Sequence, residues 1–175
     1  MTLAVDNRHV LKAATKSAHQ RAEARWVTEG RFADRAAYSA WLAAMAGVHV
    51  TLGAPAARLL NDPSWRNEER QRLAALKADL SADLPECDTS PERSGSWAWG
   101  VAYALNGSAM GASILLKSGA VASGWPRRYL TVLRAYATSG RLHGFFAELA
   151  HQGIDLDEAG TGAKDVFAAL AQARH

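Results

Sequence analysis

Two short stretches hold the residues most able to do chemistry. In LKAATKSAHQRAEARW (residues 11–26), His19 lies on the edge of an apolar helical face, flanked by the small Thr15, Ala18 and Ala22. Glu23 follows one helical turn later, placed to accept a hydrogen bond from the imidazole Nδ1–H. A metal-ligating histidine commonly has such an acceptor, which fixes its tautomer and raises its basicity. Lys12 and Lys16 fall seven and three residues before His19, on the same side. There they could reach the carboxylates of a ligand while their stems cover apolar surface. Taken alone, His19 also reads as a satisfied core histidine and the lysines as solvated charges.

The second stretch is YALNGSAMGASILLK (residues 103–117), which has the apolar density of a buried helix but carries Asn106, Gly107, Ser108 and Gly111 at its centre. Each interior glycine costs a helix roughly 1 kcal/mol relative to alanine. Gly100, Ala104, Gly107, Ser108 and Gly111 recur at helical spacing and form one stripe of small residues. Such a stripe lets another body approach the backbone closely. That body is either a second helix or a flat ligand, and a flat ligand needs a partner such as the His19 helix on its other face.

The elements that must position these residues are helical nearly throughout. Leu11, Ala14, Ala18, Ala22 and Trp26 mark one face of a first helix over residues 7–27. Asp34 reads as the N-cap of a second helix running to about Leu60, with Tyr38, Trp41, Leu42, Met45, Val48 and Leu52 inward and a bend or stop at Pro55. A charged helix over about 64–84 follows, with Leu73, Leu76 and Leu80 inward. PECDTSPERSGS (residues 85–96) is a loop, and the glycine-bearing helix spans about 96–118. Further helices are predicted over about 126–138, with Pro126 in its first turn, 142–152 and 157–173. The expectation is an all-α, single-domain bundle of about seven helices covering residues 1–175.

Composition narrows the function. The 175 residues carry a formal net charge of +3, spread along the chain, which is too weak and diffuse for nucleic-acid binding. Cys87 is the single cysteine, so no internal disulfide can form and a reducing, cytoplasmic setting is the default. The N-terminus lacks the apolar run of a signal peptide, and no segment reads as apolar enough to span a membrane.

The two stretches together resemble the heme oxygenases, specifically the bacterial biliverdin-producing branch. Residues 11–23 are similar to that family's proximal helix and YALNGSAMGA (residues 103–112) to its distal helix, in the same order, and the helical pattern matches over nearly the whole chain. The resemblance implies that His19 ligates heme iron and Glu23 supports it. It implies that Gly107, Ser108 and Gly111 line the distal face, with Tyr103 and Asn106 nearby, and that Thr15, which flanks His19, belongs to the heme-binding residues. Lys12 and Lys16 become partners for the propionates. Arg134 stands about where the family has a further basic residue, with Arg127 and Arg128 competing for that role, and Phe167 is matched to a heme-contacting aromatic. Heme would be both substrate and cofactor, cleaved at a meso carbon to biliverdin, CO and ferrous iron with O2. No nucleotide-binding glycine pattern follows a strand, so electrons would come from an external donor such as a ferredoxin or its reductase. Two departures stand out: Ser108 occupies the position of an aspartate in animal members, and Ala112 replaces a second glycine.

Three other readings compete. A heme carrier without turnover would need His19 equally. A di-iron oxidase on a related helical fold would use Glu-x-x-His pairs, of which Glu148 and His151 form one. A thiol hydrolase would need Cys87 as nucleophile, but the adjacent Glu86 raises rather than lowers a thiol pKa. His49 lies in an apolar helix and reads as a satisfied core or edge residue.

Overall fold

The computed structural model describes residues 6–27, 29–86 and 92–173. Cys87 and His175 lie outside the described residues. The chain is all-α: α1 (Asn7–Trp26), α2 (Arg35–Val48), a π-helical turn (His49–Gly53), α3 (Ala54–Leu60), α4 (Pro63–Leu80), α5 (Gly95–Lys117), α6 (Arg128–Thr138), α7 (Arg141–His151) and α8 (Leu156–Gln172). Counting α2, the π turn and α3 as one rod gives the seven helices expected. No strand occurs among the described residues.

Short polar side chains start most of these helices by taking up orphan backbone amides. Asp6 accepts from Arg8 N, Asp34 from Ala37 N at 2.8 Å, and Asp62 from Ser64 N with Pro63 opening α4. Ser94 caps α5 through Trp97 N, and Asp155 caps α8 through Asp157 N and Glu158 N. The start of α6 differs from expectation. Pro126 lies before the helix, and the amides of Arg128 and Tyr129 are satisfied by Asp79 of α4, at 3.1 and 2.8 Å. A cap donated from another helix leaves no local signal in the sequence.

The core is one continuous cluster drawing on every helix. Helix α8 is its keystone, packing on both α1 and α5. Against α5 it runs antiparallel: a Cβ on Gly100 would collide with the Ala159 carbonyl, and one on Gly162 would collide with the Trp97 carbonyl. These reciprocal glycines let two backbones touch. Trp97 then locks the pair by donating its indole N–H to Asp165 at 2.8 Å.

Three expected core faces are revised. On α1 the buried face is Asn7, Leu11, Thr15, Ala18, Ala22 and Trp26; Ala14 is exposed and Thr15 takes its place. Thr15 can be buried because its hydroxyl donates to the Leu11 carbonyl at 2.7 Å. On the second rod, Trp41 and Leu52 are only partly buried. On α4, Leu76 is buried but Leu73 and Leu80 are not fully so, and the inward residues include Glu68, Glu69 and Arg72.

The rod Arg35–Leu60 also qualifies the expectation about membrane spans. Within its 26 residues an 18-residue stretch reaches a mean hydropathy of 1.3, long and apolar enough to cross a membrane, but 56% of that stretch is buried inside the fold. It serves here as a core helix, which accounts for its composition.

Candidate functional site

Four residues predicted for the site share one face of α1 and are all exposed: Lys12, Lys16, His19 and Glu23. The His19 side chain is 59% exposed, and its Nδ1 stands 3.8 Å from Glu23 Oε2. That is an ion-pair distance rather than the expected hydrogen bond. Among the described residues the imidazole makes no hydrogen bond, and it has an edge-on contact with Phe167 of α8 (centroids 5.3 Å apart, planes at 86°).

The small-residue stripe of α5 divides into two halves. Gly100 and Ala104 are buried, and Gly100 serves the close approach of α8. Gly107 and Gly111 are different, since a Cβ added at either meets nothing within 4 Å. Met110 and Ile114, on the same side of the helix, are the exposed large hydrophobics of the described residues, at 49% and 67%. The first half of the stripe is helix packing. The second half is bare backbone and apolar surface without a partner.

Between these two regions, α1 and α5 meet where the Thr15 hydroxyl lies against the Tyr103 phenol. Burial pushes the Tyr103 pKa up, and the Thr15 hydroxyl and the Arg8 charge offset part of that rise. His19 is one helical turn along from Thr15, and Gly107 one turn along from Tyr103. None of the hydrogen bonds, ion pairs or ring contacts of the described residues joins His19 to Gly107, Ser108 or Gly111.

Other predicted residues stand elsewhere. Asn106 is fully buried and points to α4, where its Oδ1 accepts from Arg72 Nη2 at 2.8 Å. Helical phase explains this, because the residue next to a face-forming glycine is rotated by about 100° from it. Arg134 is exposed on α6. Of its two rivals, Arg128 is also exposed, and Arg127 is committed to the Val121 carbonyl at 2.5 Å. Trp97 and Trp99, at the start of α5, face α8 and Phe145. Glu148 and His151 are near the exposed end of α7, and no three His, Cys, Asp or Glu side chains cluster as metal ligands among the described residues.

Ser108 links the open stripe to a buried polar cluster that sequence reasoning missed. Its hydroxyl donates to the Leu105 carbonyl at 2.6 Å and offsets a small part of the rise that burial gives the Tyr129 pKa. The Tyr129 hydroxyl is 2.8 Å from His49 Nε2, and His49 Nδ1 is 2.6 Å from Glu69 Oε1. His49 is fully buried with both ring nitrogens engaged, as a satisfied core histidine should be. Arg72, fully buried, lies 5.0 Å from the Trp65 ring and 4.8 Å from that of Tyr136. Glu68 pairs with Arg141. Among the described residues Glu68 thus has a guanidinium partner, while Glu69 is held by His49 and Arg72 by Asn106 and the two aromatic faces. The spacing of Glu68, Glu69 and Arg72 was visible in the sequence. Charged residues on a helix default to solvent, however, so nothing there marked them as core.

No protein-family model matches the chain, and no curated protein sequence matches it at a significant level.

Proposed function

We propose that the chain binds heme between the exposed face of α1 and the bare half of the α5 stripe, and cleaves it at a meso carbon to biliverdin, CO and ferrous iron. The observation that carries this reading is the open space at Gly107 and Gly111, in a helix whose other interior glycine is filled by a neighbour. A helix gives up roughly 1 kcal/mol for each such glycine. Glycines that no protein atom approaches gain nothing in return unless a ligand does.

The residues fit the group. His19 has an exposed imidazole suited to axial ligation of iron. Lys12 and Lys16 are exposed cations on the same face, able to meet two carboxylates at a rim. Met110 and Ile114 supply apolar surface for a macrocycle. Heme, when bound, supplies the oxygen chemistry and is itself what is oxidised.

The chain's own residues orient and exclude. Gly107 and Gly111 let the backbone approach the ligand closely, which restricts the room above it. Ser108 offers a hydroxyl at that face but no carboxylate or imidazole, so the stripe itself carries no strong acid or base. Phe167 sets the ring plane of His19 from below. Electrons come from a separate donor, a ferredoxin or ferredoxin reductase, and the net positive charge of +3 suits an acidic partner. The setting proposed is cytoplasmic.

The test is hemin titration of the wild type and His19→Ala, followed by ascorbate or a ferredoxin system under air. Binding, loss of the Soret band and growth of a biliverdin band in the wild type, with the histidine-type spectrum lost in the variant, support the reading. Binding without turnover makes the chain a heme carrier instead. Absence of binding rejects both.

A further inference from the structure

Between α3 and α4 lies a cavity of about 410 Å³, within the size range of small-molecule pockets. Ala57, Pro63 and Leu73 give it apolar walls, and three exposed arginines stand at its mouth. Arg66 and Arg70 lie one turn apart on α4, and Arg58 reaches the same space from α3. Arg66 donates to the Asn61 side chain at 3.2 Å and Arg70 to that of Asn67 at 3.5 Å, both of them neutral amide oxygens. Neither takes part in an ion pair among the described residues. Three guanidinium groups thus share the lining with one carboxyl group, that of Glu69. The balance favours an anion.

Glu69 is the buried charged residue of this lining, at 2% exposure. Its carboxyl is fixed in place. His49 Nδ1 holds Oε1 at 2.6 Å, and the carboxyl fits against Gly53 only because that residue lacks a Cβ. The second oxygen, Oε2, has no hydrogen-bond partner. A buried carboxylate oxygen left bare is costly, so a donor from outside the protein belongs against it. The apolar walls beside it have none to give. A lone water satisfies that oxygen but covers none of the apolar wall.

We infer that the cavity between α3 and α4 binds a small carboxylic acid with an apolar body and a hydroxyl at its far end. The carboxylate meets the forked guanidinium groups of Arg66 and Arg70, whose planar donors match its two oxygens. The body lies against Ala57, Pro63 and Leu73. The hydroxyl donates to Glu69 Oε2. An inorganic anion would engage the arginines alone and a neutral alcohol Glu69 alone, whereas the two groups on one molecule use the whole lining. Heme has no part in this binding, because no residue of the cavity belongs to α1 or to the α5 stripe.

The test is calorimetric titration of the full, hemin-free chain with para-hydroxyphenylacetate and with phenylacetate, two acids that differ by one hydroxyl. The hydroxy acid is expected to bind at least tenfold more tightly, since a site built around a buried acceptor rejects the analogue that leaves it unpaired. Replacing both Arg66 and Arg70 by alanine, at two exposed positions, should weaken binding of the hydroxy acid at least tenfold. In protein labelled with 15N-histidine, the NMR signals of the His49 ring should shift on saturation with the hydroxy acid, because Glu69 Oε1 contacts that ring. Equal affinity for the two acids, or no saturable binding of either, overturns the site. Tight binding that survives loss of both arginines, or leaves the His49 signals unmoved, overturns its placement in this cavity. Failure of the chain to bind hemin would reject the heme reading and leave these outcomes as they are.

Discussion

Gly53 and Glu69 occupy a space that admits only one side chain: a Cβ on Gly53 would run into the Glu69 carboxyl, which His49 holds in place at 2.6 Å. Leu105 of α5 closes the same spot at 3.1 Å. Gly53→Ala must therefore displace a carboxyl that is already hydrogen-bonded or distort the π-helical turn. A loss of about 1–3 kcal/mol is expected, as for other overpacked sites. The urea midpoint should fall with the slope unchanged.

The opposite sign is expected at Gly107 and Gly111. Neither meets a protein atom, so alanine there removes the helix penalty and stabilises the ligand-free protein by about 0.5–1 kcal/mol. The same alanines should weaken hemin binding or slow its turnover. Melting curves and hemin titration on one set of variants check both halves. A stabilised variant with unchanged hemin behaviour would count against the stripe as a ligand surface.

Raising the pH should unfold the protein through its tyrosines. Tyr38, Tyr103, Tyr129 and Tyr136 make up the full set of four, and burial is the main cause that holds each phenol above its ordinary value. Tyr136 is pushed up to about 12. Unfolding lets each ionise near about 10. Above that pH the unfolded chain binds fewer protons than the folded one, so stability is full below it and falls as pH rises. Fully buried Tyr129 alone should contribute about 1.4 kcal/mol per pH unit in that range. Urea midpoints between pH 9 and 12 (roughly the span of these values) should therefore decline, and less steeply in Tyr129→Phe.

Arg141 neutralises a carboxylate that is nearly inaccessible: the Glu68 side chain is 4% exposed, while that of Arg141 is 43% exposed. Arg141→Ala should cost about 3 kcal/mol, because it strands a buried charge. Adding Glu68→Gln to that variant should recover part of the loss. A double-mutant cycle on thermal unfolding measures the difference.

Much of the fold was legible in the sequence, because local physics determines it. Asp34 as a cap and the extent of α5 both follow from short-range chemistry. The exposed quartet around His19 was legible for the same reason, since spacing alone puts the four on one face. What opposes a face is a tertiary fact. The spacing of Gly100 and Gly107 is the same kind of signal, yet one meets the Ala159 backbone and the other meets nothing. The buried face of α4 was hidden for a related reason: Glu68, Glu69 and Arg72 become core only because Arg141, His49 and Asn106 arrive from other helices.

The π-helical turn has a consequence for the helix that contains it. Relative to an unbroken α-helix, His49–Gly53 accommodates one surplus residue, marked by the Ala54 amide reaching back to the His49 carbonyl. Deleting that residue would restore continuous α-helix with the two halves in their present phase, whereas straightening the turn at unchanged length would rotate one half against the other by about 100°. The phase change would carry either His49 away from Tyr129 or Ala56 and Ala57 out of the core. The surplus residue thus lets one rod seat the imidazole between Glu69 and Tyr129 while Ala56 and Ala57 stay in the core.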